Sequence, residues 1–236
     1  RRRDYFVGAL SNLKNFSPVK NGIATPVYAP ESGLMLPTRF SATNQSGKAS
    51  CKKVMCRQFG IPTDKTVFIV LGGLNEIKGT DLVIEQIQKI KENNGFVVFN
   101  GRASGTVAEQ LKHLAQAEKN SVLWINEKIN PLKAIYLLSG ADFCIMPSRE
   151  EFIGLVPMQA SRYGTIPIVS QVGGLADNFT ADNAILIETD LGEALDRAFT
   201  IYQNKELLAQ YRKAAMEQDF SWKNRKQEYT NLYDAD

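Results

Sequence analysis

The chain has 236 residues, with 28 Lys and Arg against 25 Asp and Glu, a formal net charge of +3. Hydrophobic residues at 44% and charged residues at 22% are ordinary for a globular protein and exclude a disordered tail, a collagen-like fibre and a coiled-coil rod. So small a net charge gives no argument for nucleic acid or an anionic membrane surface as partner.

In chain order, Arg1-Arg2-Arg3 reads as a frayed or cloning-derived end rather than a binding arm. Residues 1–65 form an irregular opening segment, broken by prolines at 18, 26, 30, 37 and 62. One short helix is expected there, about Lys48–Phe59, stopped by Gly60. From Thr66 onward, short apolar runs alternate with amphipathic stretches. The runs predict strands at Val67–Leu71, Phe96–Phe99, Val122–Ile125, Phe143–Met146, Ile166–Val169 and Ala184–Ile187. Helices are expected between them at about Asp81–Asn93, Thr106–Ala117, Pro131–Ser139, Leu155–Tyr163 and Leu191–Tyr202. Two more follow, about Lys205–Glu217 and Trp222–Tyr233. Residues 66–218 are thus an α/β core and 219–236 a closing helix.

That alternation predicts a doubly wound, Rossmann-like parallel sheet with helices on both faces. The strand runs are apolar throughout, as a sheet covered on both faces requires. In such a sheet, ligands bind at the carboxyl ends of the strands. A chain of this length can bury its core without staples. Its three cysteines (Cys51, Cys56 and Cys144) make no disulfide framework, which points to a reducing compartment. No metal site is expected, because one His and unpaired Cys spacings give no zinc ligand set. The single His, His113, sits in a stretch that reads as a polar helix face, which argues against His-based nucleophilic catalysis. No apolar run approaches a membrane span, and no signal peptide is visible.

Four loops at expected strand ends could carry chemistry. In the first, Gly72 and Gly73 allow close backbone approach, and Lys78 precedes a helix start; together they suit a phosphate. A tight turn with a solvated lysine explains the same residues equally well. In the second, Asn100–Gly105, Arg102 reads more simply as a surface residue. In the third, Pro147-Ser148-Arg149-Glu150-Glu151-Phe152-Ile153-Gly154-Leu155, the helix opening at Gly154-Leu155 can receive a diphosphate. A carboxylate at Glu151 does not help to hold phosphate and needs another partner, such as a sugar hydroxyl. Both glutamates also suit a helix N-terminus electrostatically, and physics alone tips slightly that way. In the fourth, Gly173-Gly174 is either a plain turn or a backbone surface packed on a ligand.

Several of these segments carry a resemblance. Met146-Pro147-Ser148-Arg149, Glu151, Gly154-Leu155 and Arg162-Tyr163-Gly164-Thr165-Ile166-Pro167 resemble the bacterial glycogen synthase and plant starch synthase family. Gly173-Gly174-Leu175-Ala176-Asp177, Asn21-Gly22-Ile23, Ser46-Gly47-Lys48 and Asp219-Phe220-Ser221-Trp222 are similar to further segments of it. The resemblance implies the C-terminal, donor-binding domain of a GT-B glycosyltransferase. It implies retaining transfer of glucose from a nucleotide sugar, usually ADP-glucose, to an α-1,4-glucan acceptor. It further implies an N-terminal GT-B domain that has no counterpart in this chain, a closing helix that crosses back onto that domain, and no metal or other cofactor. A cytoplasmic location follows, or a plastid in a plant.

Residue by residue, Lys78 matches the family lysine that neutralises the donor phosphates, and Glu151 the glutamate that orients the donor glucose. Gly154 and Leu155 match the helix start that meets the diphosphate. Gln159 stands where broader relatives have a second glutamate, and base contacts are expected near Asn126. Two departures stand out. Gly73 replaces an arginine of the family loop, and glycine cannot replace a guanidinium that grips two phosphate oxygens. Phe152-Ile153 replaces Pro-Cys. Gly73 motivates an alternative reading, a non-catalytic relative acting as a glucan-binding or protein-interaction module. Another sugar-nucleotide transferase of the same fold is a third.

Overall fold

The computed structural model describes residues 19–33 and 35–233. Arg1-Arg2-Arg3 lies outside the described residues. Six strands form one sheet: β1 (Thr66–Leu71), β2 (Gly95–Asn100), β3 (Val122–Ile125), β4 (Phe143–Met146), β5 (Ile166–Ser170) and β6 (Ile185–Ile187). Their order is β3-β2-β1-β4-β5-β6, and every neighbouring pair is parallel. This is the doubly wound arrangement, with a reversal of strand order between β1 and β4.

Side chains of a strand point alternately to its two faces, so a fully buried strand feeds two cores. In β1, Phe68 and Val70 enter one core, while Val67, Ile69 and Leu71 enter the other. The first core is covered by α2 (Thr80–Glu85), α3 (Ile87–Glu92), α4 (Gly105–Ala117) and α8 (Leu191–Gln203). The second is covered by α1 (Ser46–Phe59), α5 (Pro131–Gly140) and α6 (Leu155–Arg162). The remaining helices are α7 (Gly173–Asn178), α9 (Lys205–Glu217) and α10 (Trp222–Tyr233). Phe68 stacks on Phe143 with ring centroids 5.2 Å apart. Truncating either ring to Ala would cost about 3–5 kcal/mol, because the cavity cannot collapse between strand and helix.

Two elements differ from the sequence expectation. The helix expected over Asp81–Asn93 breaks at Gln86, whose N–H donates to Val83 O three residues back at 3.1 Å. This tighter turn offsets α3 from α2 but keeps Val83, Ile87 and Ile90 buried in one core. Gly173-Gly174 opens a short helix, α7, rather than a plain turn.

The amino-terminal edge of the sheet carries a polar cluster. Asp142, 1% exposed, pairs with Lys52 Nζ at 2.6 Å and Arg212 Nη2 at 2.9 Å. Its Oδ2 also accepts from the Val67 N–H at 2.9 Å. Lys48 is buried beside it and donates to Thr165 Oγ1 at 2.6 Å and Leu138 O at 3.3 Å. Burial, reinforced by Arg212, holds its ammonium well below the usual lysine range. This cluster ties α1, α9 and the starts of β1 and β4 together, leaving the opposite edge free for ligands. The opening segment meets α10 through the Ile23 N–H donating to Phe220 O at 2.8 Å and Tyr229 Oη donating to Asn21 Oδ1 at 3.3 Å.

Candidate functional site

The reversal of strand order opens a crevice where the connections leaving β1 and β4 diverge. A cleft of about 350 Å³ lies there, floored by Val70, Leu71, Ile145 and Met146 from the two strand ends. Gly72, Gly73, Lys78, Glu151, Gly154 and Leu155 line its walls. Its volume lies in the range of about 300–1,000 Å³ usual for small-molecule sites.

The first loop is held by its own hydrogen bonds. Asn75 Oδ1 accepts from the Lys78 N–H at 3.0 Å, and Asn75 O accepts from the Thr80 N–H at 3.1 Å. Gly79 has φ +69, and a Cβ there would lie 2.1 Å from Pro147 O, so only glycine lets this loop close on the segment after β4. Arg149 locks the two together. Its N–H donates to Ile77 O at 2.8 Å. Its guanidinium donates to Glu76 O and grips both Asp81 carboxylate oxygens at 2.8 and 2.7 Å. That bidentate bond holds the Asp81 carboxyl below its usual range and raises the Arg149 guanidinium further. Arg149 is thereby committed to the loop scaffold, and Arg102 is exposed on the loop after β2.

The third loop carries the opposite charge. Lys78 Nζ and Glu151 Oε2 meet at 2.7 Å, with side chains 33% and 11% exposed. The two residues are 73 positions apart. Beyond Glu151, Gly154 turns at φ +78 and opens α6 with no side-chain cap. The first-turn N–H groups of a helix have no intrahelical partner, and Pro157 supplies none, so Leu155 and Val156 offer theirs at the cleft wall. These groups and the helix dipole favour an anion.

The fourth loop lies behind the third. The Gly174 N–H donates to Glu151 O at 3.0 Å. A Cβ on Gly173 would sit 2.0 Å from Glu151 O, and one on Gly174 2.6 Å from Ile153 O. The paired glycines therefore let α7 press against the backbone that bears Glu151.

Two expected site residues stand apart from the cleft lining. Gln159 is half-buried on α6, and its Nε2 donates to Tyr28 Oη at 3.0 Å. Asn126 is exposed in the segment after β3. His113 is exposed on α4. Gly73 has ordinary φ, and a Cβ there would meet only Asn75 Nδ2, at 3.6 Å. The loop thus has room for the side chain it lacks. Sequence reasoning missed the Arg149–Asp81 clamp. Its one local signal is an acidic residue in the first turn of α2, and the partner is 68 positions away. Among the described residues no group of three or more His, Cys, Asp or Glu could hold a metal ion.

The cleft thus offers a lysine ammonium, a helix N-terminus, a carboxylate suited to hydroxyl groups and an apolar floor. Known proteins carry the same architecture. The sequence profile described as "Glycosyl transferases group 1" matches residues 52–218. A glycogen synthase of Lactococcus lactis is 33% identical over 231 residues, which cover 92% of this chain and 48% of that protein. A glycogen synthase of Myxococcus xanthus is 34% identical over 223 residues, covering 91% and 46%. The catalytic domain of starch synthase IV from Arabidopsis thaliana, solved with ADP and acarbose, superposes with a TM-score of 0.84 at 27% identity, covering 91% of this chain and 48% of that one. The chain therefore spans about half the length of the relatives it matches. No helix among the described residues is long and apolar enough to cross a membrane.

Proposed function

Because the chain belongs to the glycosyl transferases group 1 family, we propose that its cleft is the donor site of a retaining glucosyltransferase that extends α-1,4-glucan. The observation that carries this reading is the meeting of Lys78 and Glu151 at 2.7 Å beside the uncapped start of α6. A nucleotide sugar needs both charges in one place. Its diphosphate takes the cation and the helix N-terminus, and its glucose hydroxyls take the carboxylate.

Lys78 and the Leu155 and Val156 N–H groups then stabilise the charge that builds on the departing nucleoside diphosphate. Such preorganised groups supply several kcal/mol of barrier reduction, with about 1.4 kcal/mol for each factor of ten in rate. Glu151 holds the glucose hydroxyls and so orients the anomeric carbon. Gly72 and Gly73 allow the phosphates to approach the β1 loop. Gln159 and Asn126 border the nucleoside end in this reading.

ADP-glucose is the proposed donor. Three glycogen synthases exceed 30% identity, and the starch synthase IV structure contains ADP. The acceptor is an α-glucan. The other partner is an N-terminal GT-B domain, consistent with a chain about half as long as its relatives; α10 is then the crossover helix that reaches it. The non-catalytic alternative rests on Gly73 and is not favoured by these relatives. Calorimetric titration with ADP and UDP tests the reading. ADP is expected to bind in the micromolar range, at least about tenfold tighter than UDP. Equal affinities would remove the argument for an adenine nucleotide.

A further inference from the structure

Phe152 is the most exposed large apolar side chain among the described residues, at 85% exposure, and it lines the cleft. Leaving such a ring in water forgoes the stabilisation that burying an aromatic side chain brings. The backbone beneath it is not loose. Glu151 O accepts from the Gly174 N–H at 3.0 Å. The missing side chain of Gly174 makes room for Phe152 O itself, which would lie 2.6 Å from a Cβ there. Ile153, the next residue, is packed against the core formed by Met158, Val169 and Leu175. A rigid segment thus holds a bare aromatic ring at the cleft, next in sequence to the carboxylate of Glu151.

We infer that Phe152 is a stacking platform for a hexose ring, a specificity-determining contact that rests on the donor-cleft reading above. A hexose presents hydroxyl donors at its rim and C–H groups on its faces. The rim suits a carboxylate, and the faces suit the electron-rich face of an aromatic ring. Glu151 and Phe152 both line this one cleft, so a sugar that donates to the first is placed to meet the second. A phosphate gains no hydrogen bond from the Phe152 ring, which carries no donor. The ring therefore discriminates between a nucleotide with its sugar and one without it. The shared chemistry fits either the donor glucose or the terminal glucose of the acceptor.

The test is calorimetry of the unaltered chain, Phe152→Ala, Phe152→Leu and Phe152→Tyr. Each is titrated with ADP, with ADP-glucose, and with maltoheptaose in the presence of saturating ADP. Phe152→Ala and Phe152→Leu are expected to bind ADP within about twofold of the unaltered chain while losing roughly three- to tenfold for a sugar-bearing ligand, and Phe152→Tyr to restore it. Loss confined to ADP-glucose assigns the ring to the donor hexose; loss confined to maltoheptaose assigns it to the acceptor. Equal weakening of ADP and ADP-glucose would overturn the inference by placing the ring on the nucleotide. Unchanged affinities with ADP still bound would also overturn it, leaving a protein surface as the ring's partner. Failure of the unaltered chain to bind ADP would instead bring down the donor-site reading, and this inference with it.

Discussion

At the scale of single residues, Lys78 and Glu151 compete as well as cooperate. Each is the other's partner at 2.7 Å, so a diphosphate competes with the carboxylate for the ammonium. Glu151→Gln removes the competitor and its negative charge. ADP is expected to bind a few-fold tighter to this variant, while the affinity advantage of ADP-glucose over ADP shrinks. Titration with both ligands checks this, and weaker ADP binding would contradict it. Gly73→Arg makes the complementary case. The site has ordinary φ and open space, and a charge-assisted bond contributes about 1.5–3 kcal/mol. ADP affinity is expected to rise about tenfold or more. No gain would show that the β1 loop does not face the diphosphate.

Elements carry the site as much as its residues do. Gly173 has φ +45 and no space for a side chain beside Glu151 O. Gly173→Ala is expected to destabilise the fold by about 1–3 kcal/mol and to weaken nucleotide-sugar binding without touching a ligand. Denaturation and titration together read this out. The Arg149–Asp81 clamp is pH-dependent in a defined direction. Asp81 has a depressed carboxyl, so its contribution is complete above the ordinary value of about 3.9 and is lost as pH falls through the lower folded value. The pair is partly exposed, which limits it to about 1 kcal/mol or less. Asp81→Asn should therefore cost that much at neutral pH and nothing at the acid limit, as urea denaturation at several pH values would show. At the other sheet edge Asp142 is buried between two cations. Asp142→Ala leaves them uncompensated and is expected to cost about 3–5 kcal/mol, with the cleft distant from the change.

What the sequence disclosed divides along the same line between local and long-range physics. The strands were legible because both sheet faces are covered, which makes runs such as Val67–Leu71 apolar at every position. The end of α1 was legible in Gly60, whose φ of +69 is a local demand. The break at Gln86 was not, since Val83, Ile87 and Ile90 keep one apolar face through it. Two glycines are poor helix formers, so α7 read as a turn; its reason is the close approach to Glu151, two elements away. Likewise, Lys48 looks like any lysine on an amphipathic helix until Thr165, 117 positions on, meets it. The cleft-lining glycines, Lys78 and Glu151 could be named from motifs. Their mutual pairing and the commitment of Arg149 to Asp81 are tertiary facts.

At the scale of the whole molecule, the sheet separates two tasks. Its amino-terminal edge is locked by Asp142, Lys52, Arg212 and Lys48, and its carboxyl edge holds the cleft. The chain spans about half the length of the relatives it matches, and in the proposed reading a further domain supplies the facing wall of the cleft. The chain is expected to bind donor nucleotide while transferring no glucose by itself. The most direct test of the central claim is calorimetric titration of the chain with ADP, paired with Lys78→Ala. Micromolar binding that falls by at least about tenfold in the variant, with the fold intact, is the expected result. A folded chain that ignores ADP, or binds it equally well without Lys78, would contradict the assignment of this cleft as a donor site.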